Sequence, residues 1–384
     1  MKRRIFTGLG AGALLSLGSA AAAQDQALPQ VAVQAAPPVS AQFAQFIPSK
    51  TPKQHRIDYS IWDEAMRSLV VSMGPSLRKA AGSEVQNFGS RRRYGSNSRY
   101  RLEGTRLMFS FLDKEVINSF TEYRKDLEAT ADQLNISTLP RNEQLAFWTN
   151  LHNVAMVEQI AIAWPTRQPR NIKIGDAPLD EARFITINGV AMSPKDIRTQ
   201  IVYPNWSDPR VIYGFWRGDI GGPALQRRAF NGENLKDTLE RSAREFVNSL
   251  RGTQKNGSTL AVSDIYNEAA PYYFADFDRD LRTHLAGYAN VEVQQILAKT
   301  SKVDASISEP DIADLAGGVR EPSYSNITSD GSAKRFRIPQ SMAQLLAQRE
   351  RKFDIMEREG VRTGTVTFSP IELPGEDPKA DEVE

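Results

Sequence analysis

From Leu145 to Ile162 the chain is apolar almost all the way round a helical wheel, through Phe147, Trp148, Leu151, Val154, Met156, Val157, Ile160 and Ile162. A helix without a broad polar face has to be covered by protein on every side. The segment 141–164, ended by Pro165, is therefore read as a central buried helix that the rest of the chain must wrap. With 384 residues, 40% of them hydrophobic and 24% charged, the chain is long enough to do so as one large domain or two modest ones.

The same helix opens on Asn142-Glu143-Gln144 and carries Asn150, His152 and Asn153. Glu143, Asn150 and Asn153 lie seven and three residues apart, which puts them along one side. A buried polar group left without a partner costs about 1–3 kcal/mol. These side chains therefore either line a polar pocket or form a structural network that pins neighbouring loops.

The N-terminus reads as a targeting segment. Lys2-Arg3-Arg4 precede a Gly/Ala/Leu run that ends in Ala20-Ala21-Ala22-Ala23, the pattern of a cleaved secretory signal over 1–23. A membrane anchor is the other reading, disfavoured by four glycines in the weakly apolar run and by the polar Gln24-Asp25-Gln26 after it. The arginine pair before Ile5-Phe6 also resembles a twin-arginine signal, so the twin-arginine and general export routes both stay open. Forty-eight basic against 46 acidic residues give +2, and loss of the three charges at Lys2, Arg3 and Arg4 leaves −1. So neutral a balance argues against a nucleic-acid partner. The absence of cysteine excludes disulfides, thiolate metal sites and a cysteine nucleophile. No other run approaches the roughly 18 apolar residues of a membrane span. The expectation is a soluble periplasmic or secreted protein with no integral membrane segment once the signal is removed.

Residues 24–55, with Pro29, Pro37, Pro38, Pro48 and Pro52, read as an Ala/Gln/Pro-rich linker. A globular domain is expected over 56–300 with its core at 140–250. An extension follows over 301–363 with a helix at about 339–359, and then a disordered acidic tail over 364–384. Apolar spacing predicts further helices near 61–73, 114–133, 235–249 and 277–288. Short strands are expected within 88–112 and from Val211 to Phe215. The arginines among the former, Arg91, Arg92, Arg93, Arg99, Arg101 and Arg106, fit an anion-binding surface or simply solvated strand faces. Phe184-Ile185-Thr186-Ile187, Asn188-Gly189 and Val190-Ala191-Met192 spell a hairpin on a two-residue turn. Ser193-Pro194-Lys195-Asp196 then supplies an N-cap, a first-turn proline and an acidic third position for a helix start. The fold class expected is α+β, a helix-rich single globular domain with a central buried helix and a small antiparallel β component, the hairpin near 184–192.

Standard catalytic signatures are missing. There is no P-loop, G-x-G-x-x-G, H-E-x-x-H or G-x-S-x-G pattern. Ser76-Leu77-Arg78-Lys79 matches S-x-x-K, but neither S-D-N nor K-T-G follows it. His55, His152 and His284 lack ligand-like spacing, so neither a metal nor a cofactor is expected.

The run Ala146-Phe147-Trp148-Thr149-Asn150-Leu151-His152-Asn153-Val154 resembles the A-F-W-I-N-L-Y-N-A signature of the domain-of-unknown-function 547 family. The order that follows is also similar: Gly189, Ser193-x-x-Asp196-Ile197, Asp208-Pro209-Arg210, Pro223-x-Leu225 and Glu245-Phe246, with weaker likeness at Ser263-x-Ile265-Tyr266 and Asp276-Phe277. Many members carry a histidine two residues after the Asp-Pro-Arg arginine and two cysteines in the next loop. Here Ile212, Arg217 and Gly222 stand at those places. The resemblance implies a fold, not a reaction. It also implies that the Glu143/Asn150/Asn153 side faces the loop that carries Arg210 and Arg217.

That loop has a reading of its own. Gly218, Gly221 and Gly222 can expose backbone N–H groups in a concave turn, and Arg217 adds a planar donor fork, so together they fit a carboxylate or phosphate. Asp219 can neutralise that charge, and glycines serve plain tight turns equally well. The function expected is a non-catalytic periplasmic binding or interaction protein, its partner an unknown protein or a small anionic ligand. The binding candidates are Asn150, Asn153, Arg210, Arg217, Gly218, Gly221 and Gly222. The alternative is a hydrolase or transferase built on Glu143, Asn150, His152 and the loop from Arg210 to Asp219, with Glu143, His152 and Asp219 as catalytic candidates.

Overall fold

A computed structural model describes residues 36–82, 94–322, 324–328 and 335–361. The signal and tail readings, the first part of the linker and Arg91, Arg92 and Arg93 lie outside the described residues. In chain order the elements begin with α1 (Ser60–Leu69), β1 (Val70–Ser72), β2 (Thr105–Leu107), α2 (Lys114–Gln133) and α3 (Arg141–Ala163). Next come β3 (Lys173–Ile174), β4 (Ala177–Pro178), β5 (Ile185–Ile187), β6 (Val190–Met192), α4 (Pro194–Asp196), a π-helical turn (Ile197–Val202) and α5 (Tyr203–Asn205). Then follow α6 (Leu235–Val247), β7 (Thr253–Asn256), β8 (Thr259–Ser263), α7 (Ile265–Tyr273), α8 (Phe277–Ala286) and α9 (Val291–Ala298). The last are β9 (Lys302–Ile307), β10 (Tyr324–Thr328), β11 (Arg335–Pro339) and α10 (Gln340–Arg358). The architecture is α+β: helices around small sheets, mostly antiparallel, with β9 added parallel to β8.

The core is organised on α3, which is buried without a break from Glu143 to Glu158, as its apolar circumference requires. Its nearest helical neighbour, α2, is amphipathic and turns Phe120, Leu127 and Ala131 inward. The one charge pair between them is buried, with Arg124 Nε 2.5 Å from Glu158 Oε2. The other flank of α3 meets residues from the stretch read as linker: Phe43 and Phe46 sit on a 3-10 turn and are buried, Phe46 edge-on to Trp148 with ring centroids 5.2 Å apart. The same segment is also held by backbone, Ser49 N–H donating to Ser137 O and Lys53 N–H to Thr138 O, each at 2.7 Å.

The hairpin β5–β6 forms in the register the sequence implies, with Ile187 opposite Val190 and with Asn188 and Gly189 at φ +47° and +76°. Ser193 and Asp196 complete the capping box at the start of α4, each side chain accepting from the other's backbone N–H at 3.0 Å.

Elsewhere the local reading gives way. The helix expected over 61–73 ends at Leu69, and Val70–Ser72 becomes a strand paired with Thr105–Leu107, as β-branched Val70 and Val71 favour. The strand expected from Val211 to Phe215 is a 3-10 turn, Pro209–Gly214, because Pro209 fits a first turn and Asp208 caps it by accepting from Arg210 N at 2.9 Å. Arg101 and Arg106 fit neither an anion surface nor a solvated face. Both are buried, and Arg106 donates to the carbonyls of Tyr100, Glu103 and Thr105.

The described residues of 301–361 join the body closely. After β9 the chain threads between three segments: Ile220 N–H donates to Asp311 O, Ile312 N–H to Arg167 O, and Leu107 N–H to Ala313 O at 2.8–2.9 Å. Then α10 docks Met342 and Leu345 on Val71, Met73 and Met108, and buried Lys352 donates to Met73 O at 2.8 Å and Leu102 O at 2.6 Å. No helix among the described residues is long and apolar enough to cross a membrane.

Candidate functional site

The polar side of α3 divides between two partners. Asn150 clamps the backbone of Phe230, Nδ2 donating to its carbonyl at 2.7 Å and Oδ1 accepting its N–H at 3.0 Å. Glu143 Oε1 accepts Gly232 N–H at 3.2 Å. Asn153 alone turns to the end of the 3-10 turn and the loop after it, donating to Gly214 O at 2.9 Å and accepting from Trp216 N at 3.0 Å. The expectation that all three face Arg210 and Arg217 is thus corrected. Ten residues of helix rise about 15 Å, enough to pass from one loop to another.

Next to Asn153, His152 is fully buried and both ring nitrogens have a partner. Nε2 accepts from Arg198 Nη1 at 2.8 Å, since an arginine can only donate, which leaves the Nδ1 proton to Asn153 Oδ1 at 3.1 Å. Burial, reinforced by the Arg198 charge, lowers the imidazole to about 3 and fixes it neutral.

Arg198, on the π-helical turn, is the hub. Nε donates to Glu268 Oε1 at 2.8 Å, Nη1 to His152 and to Asp180 Oδ1 at 2.8 Å, and Nη2 to Asp180 Oδ2 at 2.7 Å and Glu268 Oε2 at 2.9 Å. All five N–H donors are engaged. Arg217 Nη2 donates to Glu268 Oε1 at 2.8 Å, and Tyr203 OH lies 3.4 Å from the same oxygen. Burial works to raise both carboxyls. The guanidinium of Arg198 overrides it, holding Asp180 well below the usual carboxylate range and, with Arg217, Glu268 at about 2. Two carboxylates against two guanidiniums make the cluster neutral. Only its rim meets water: the Asp180 side chain is 37% exposed and Arg198 not at all.

The glycine loop is occupied from within. Gly222 N–H donates to Asp219 Oδ1 at 2.7 Å, and Gly221 N–H to Glu309 O at 3.0 Å. Gly218 has φ +88°, and a Cβ there would overlap Ile160 Cδ1. Gly221 and Gly222 thus spend their N–H groups within the protein, while Arg217 points to Glu268. Burial pushes the Asp219 carboxyl up to about 6. Arg210 belongs elsewhere, paired with Asp208 at 2.6 Å and Glu240 at 3.2 Å. Ser76 and Lys79 do not share a helical turn: Arg78 between them has φ +52°, the Ser76 hydroxyl meets Glu103, and Lys79 pairs with Glu359 at 3.5 Å.

Of the residues expected at a site, the structure brings His152, Asn153 and Arg217 together and leaves Glu143, Asn150 and Arg210 apart from them, while Asp219 accepts from Gly222 within reach of the Arg217 charge. It adds Asp180, Arg198, Tyr203 and Glu268, which the sequence did not single out. Arg198 directly follows the family-like Asp196-Ile197, and Glu268 lies two residues beyond Tyr266, so adjacency to those segments was the available signal. No curated relative and no solved structure matches the chain. The stretch that carries His152, Asp180, Arg198 and Arg217 is, however, assigned: residues 136–247 match the model of the family described as "Protein of unknown function, DUF547".

Proposed function

We propose that this is an exported, non-catalytic binding or interaction protein. The observation that carries the reading is the closure of its polar centre. His152, the best-placed group for proton transfer, accepts from a cation on one nitrogen and donates to an amide on the other. A general base needs a free lone pair within reach of substrate, and this one is already engaged in a fully buried position. Arg198, likewise, has no donor left for a substrate anion. The network acts as a clasp that joins α3, the turn after β4, the π-helical turn, the glycine loop and α7. Export is proposed from the basic and alanine-rich start of the sequence.

Native mass spectrometry on protein purified from the cell envelope tests both parts. The mature chain is expected to begin at Gln24 and to carry a small molecule or a partner of fixed stoichiometry. An intact N-terminus removes the export reading. Turnover of ester or amide probes that His152→Gln abolishes without loss of fold would replace the binding reading by a hydrolase.

A further inference from the structure

Beyond the end of α3 the surface holds a shallow cavity of about 580 Å3, a volume within the roughly 300–1,000 Å3 of small-molecule sites. One wall is Pro165, Thr166 and Arg167, the other Gly318 and Arg320, and Tyr94 also lines it. The walls touch through backbone: Gly318 has φ +71°, and a Cβ there would overlap the Thr166 carbonyl oxygen. Behind them, buried Asp314 ties both sides together, its Oδ2 accepting from Trp164 Nε1 at 3.2 Å and from Gly318 N at 2.8 Å. Arg320 lies over the Trp164 ring, its guanidinium carbon 4.8 Å from the centroid, so an indole supports the cation from below. None of the described lining residues is acidic, and two are arginines. The walls are thus tied to each other from behind, the Arg320 guanidinium stands at the rim, and apolar Pro165 and Val319 line the cavity beside it.

We propose that this cavity binds a small planar organic anion, an aryl or heteroaryl carboxylate or phosphate. The guanidinium of Arg320 is a planar fork that suits either anionic group. Tyr94 and Pro165 give a ring surface to pack on. The inference rests on the binding-protein reading for its purpose and differs from it in naming the site and the ligand chemistry.

The test is calorimetric titration of the purified protein with phenyl phosphate, benzoate, inorganic phosphate and benzyl alcohol. Phenyl phosphate is expected to bind at least tenfold more tightly than inorganic phosphate, and benzyl alcohol not at all. Arg320→Ala should weaken phenyl phosphate at least fivefold. Val319→Glu, which places a carboxylate in the cavity, should abolish binding. Arg56→Ala, remote and exposed, should leave it unchanged. Arg320 and Arg56 are exposed and Val319 is half-buried, and circular dichroism checks that each variant folds. Absence of binding by both aromatic anions, equal binding of inorganic and phenyl phosphate, or indifference to Arg320→Ala each overturns the proposal. If the aromatic anions fail while native mass spectrometry still finds a retained molecule, the binding-protein reading stands and this cavity is not its site.

Discussion

Arg198 Nη1 stands 2.8 Å from His152 Nε2 and 2.8 Å from Asp180 Oδ1, so one guanidinium nitrogen joins the central helix to the turn after β4. The contact decides the tautomer of the histidine, the histidine proton orients Asn153, and Asn153 holds the Trp216 N–H. Order therefore passes from a π-helical turn to a glycine loop through three side chains. A π-helical turn is an uncommon geometry that persists where tertiary contacts hold it; here Arg198 supplies such contacts, and Tyr272 adds another by donating its hydroxyl to Thr199 O at 2.8 Å.

Arg198→Met should destabilise the protein by about 3–5 kcal/mol, the range for removing one partner of a buried charge pair. Partial exposure of Asp180 moderates the loss on that side, whereas Glu268 and His152 have little water to turn to. Arg198→Lys should recover less than half, since three donors at one point replace five in a fixed fork. Urea unfolding midpoints measure this, and a Met variant as stable as the parent would show that the clasp contributes nothing.

The same contact predicts a pH effect. His152 is lowered to about 3 in the folded state by burial and Arg198, against 6.5 when free. Below pH 6.5 the unfolded chain takes up a proton that the folded chain refuses, so this group withdraws stability as pH falls from 6.5 toward 3. Asp219 and Asp314, both pushed up to about 6 by burial, act with the opposite sign, adding stability as pH falls from 6 toward 4. Comparison with His152→Gln isolates the histidine. The variant should be less stable than the parent at pH 7.5, and the gap should narrow by pH 5. A gap of constant size would mean that His152 titrates normally in the fold.

What was legible in the sequence was local. The apolar circumference of α3, the Asn188-Gly189 turn and the Ser193/Asp196 box each depend on residues within a few positions of one another, and each forms as read. The clasp was not legible, because its bonds join residues 46 and 70 positions apart and its members are common polar types on unremarkable segments. The segment with Phe43 and Phe46 misled for a related reason: proline content describes the local chain, while the docking of two rings is settled by a groove built far away in sequence. Arg217 donates to Glu268, 51 positions away, an acceptor inside the fold that no local pattern around the glycine loop announces.

Asn150→Ala should cost about 1–3 kcal/mol, because both the N–H and the carbonyl of Phe230 lose their partner inside the core. Asn150→Asp should be no better, since it keeps the acceptor but removes the donor and brings a charge into a fully buried position. Thermal unfolding of the two variants decides the matter. Unchanged melting in Asn150→Ala would mean that water satisfies Phe230 as well as the amide does.

Three glycines with positive φ separate the strain of the backbone from the space around it. Gly257, at φ +59°, has nothing within 4 Å of where a Cβ would stand, so Gly257→Ala should show only the left-handed penalty of about 1–2 kcal/mol. Gly218→Ala adds an overlap with Ile160 Cδ1, the end of a side chain. Ile160→Val deletes that methyl, so the double variant should be more stable than the sum of the single effects predicts. Gly318→Ala overlaps instead with the Thr166 carbonyl oxygen, which no side-chain change can move. It should be the most damaging of the three, and Thr166→Ala should not rescue it. Melting temperatures of these variants give the comparison, and a Gly318→Ala protein that melts with Gly257→Ala would mean that segment 316–318 does not cross Thr166 at backbone contact.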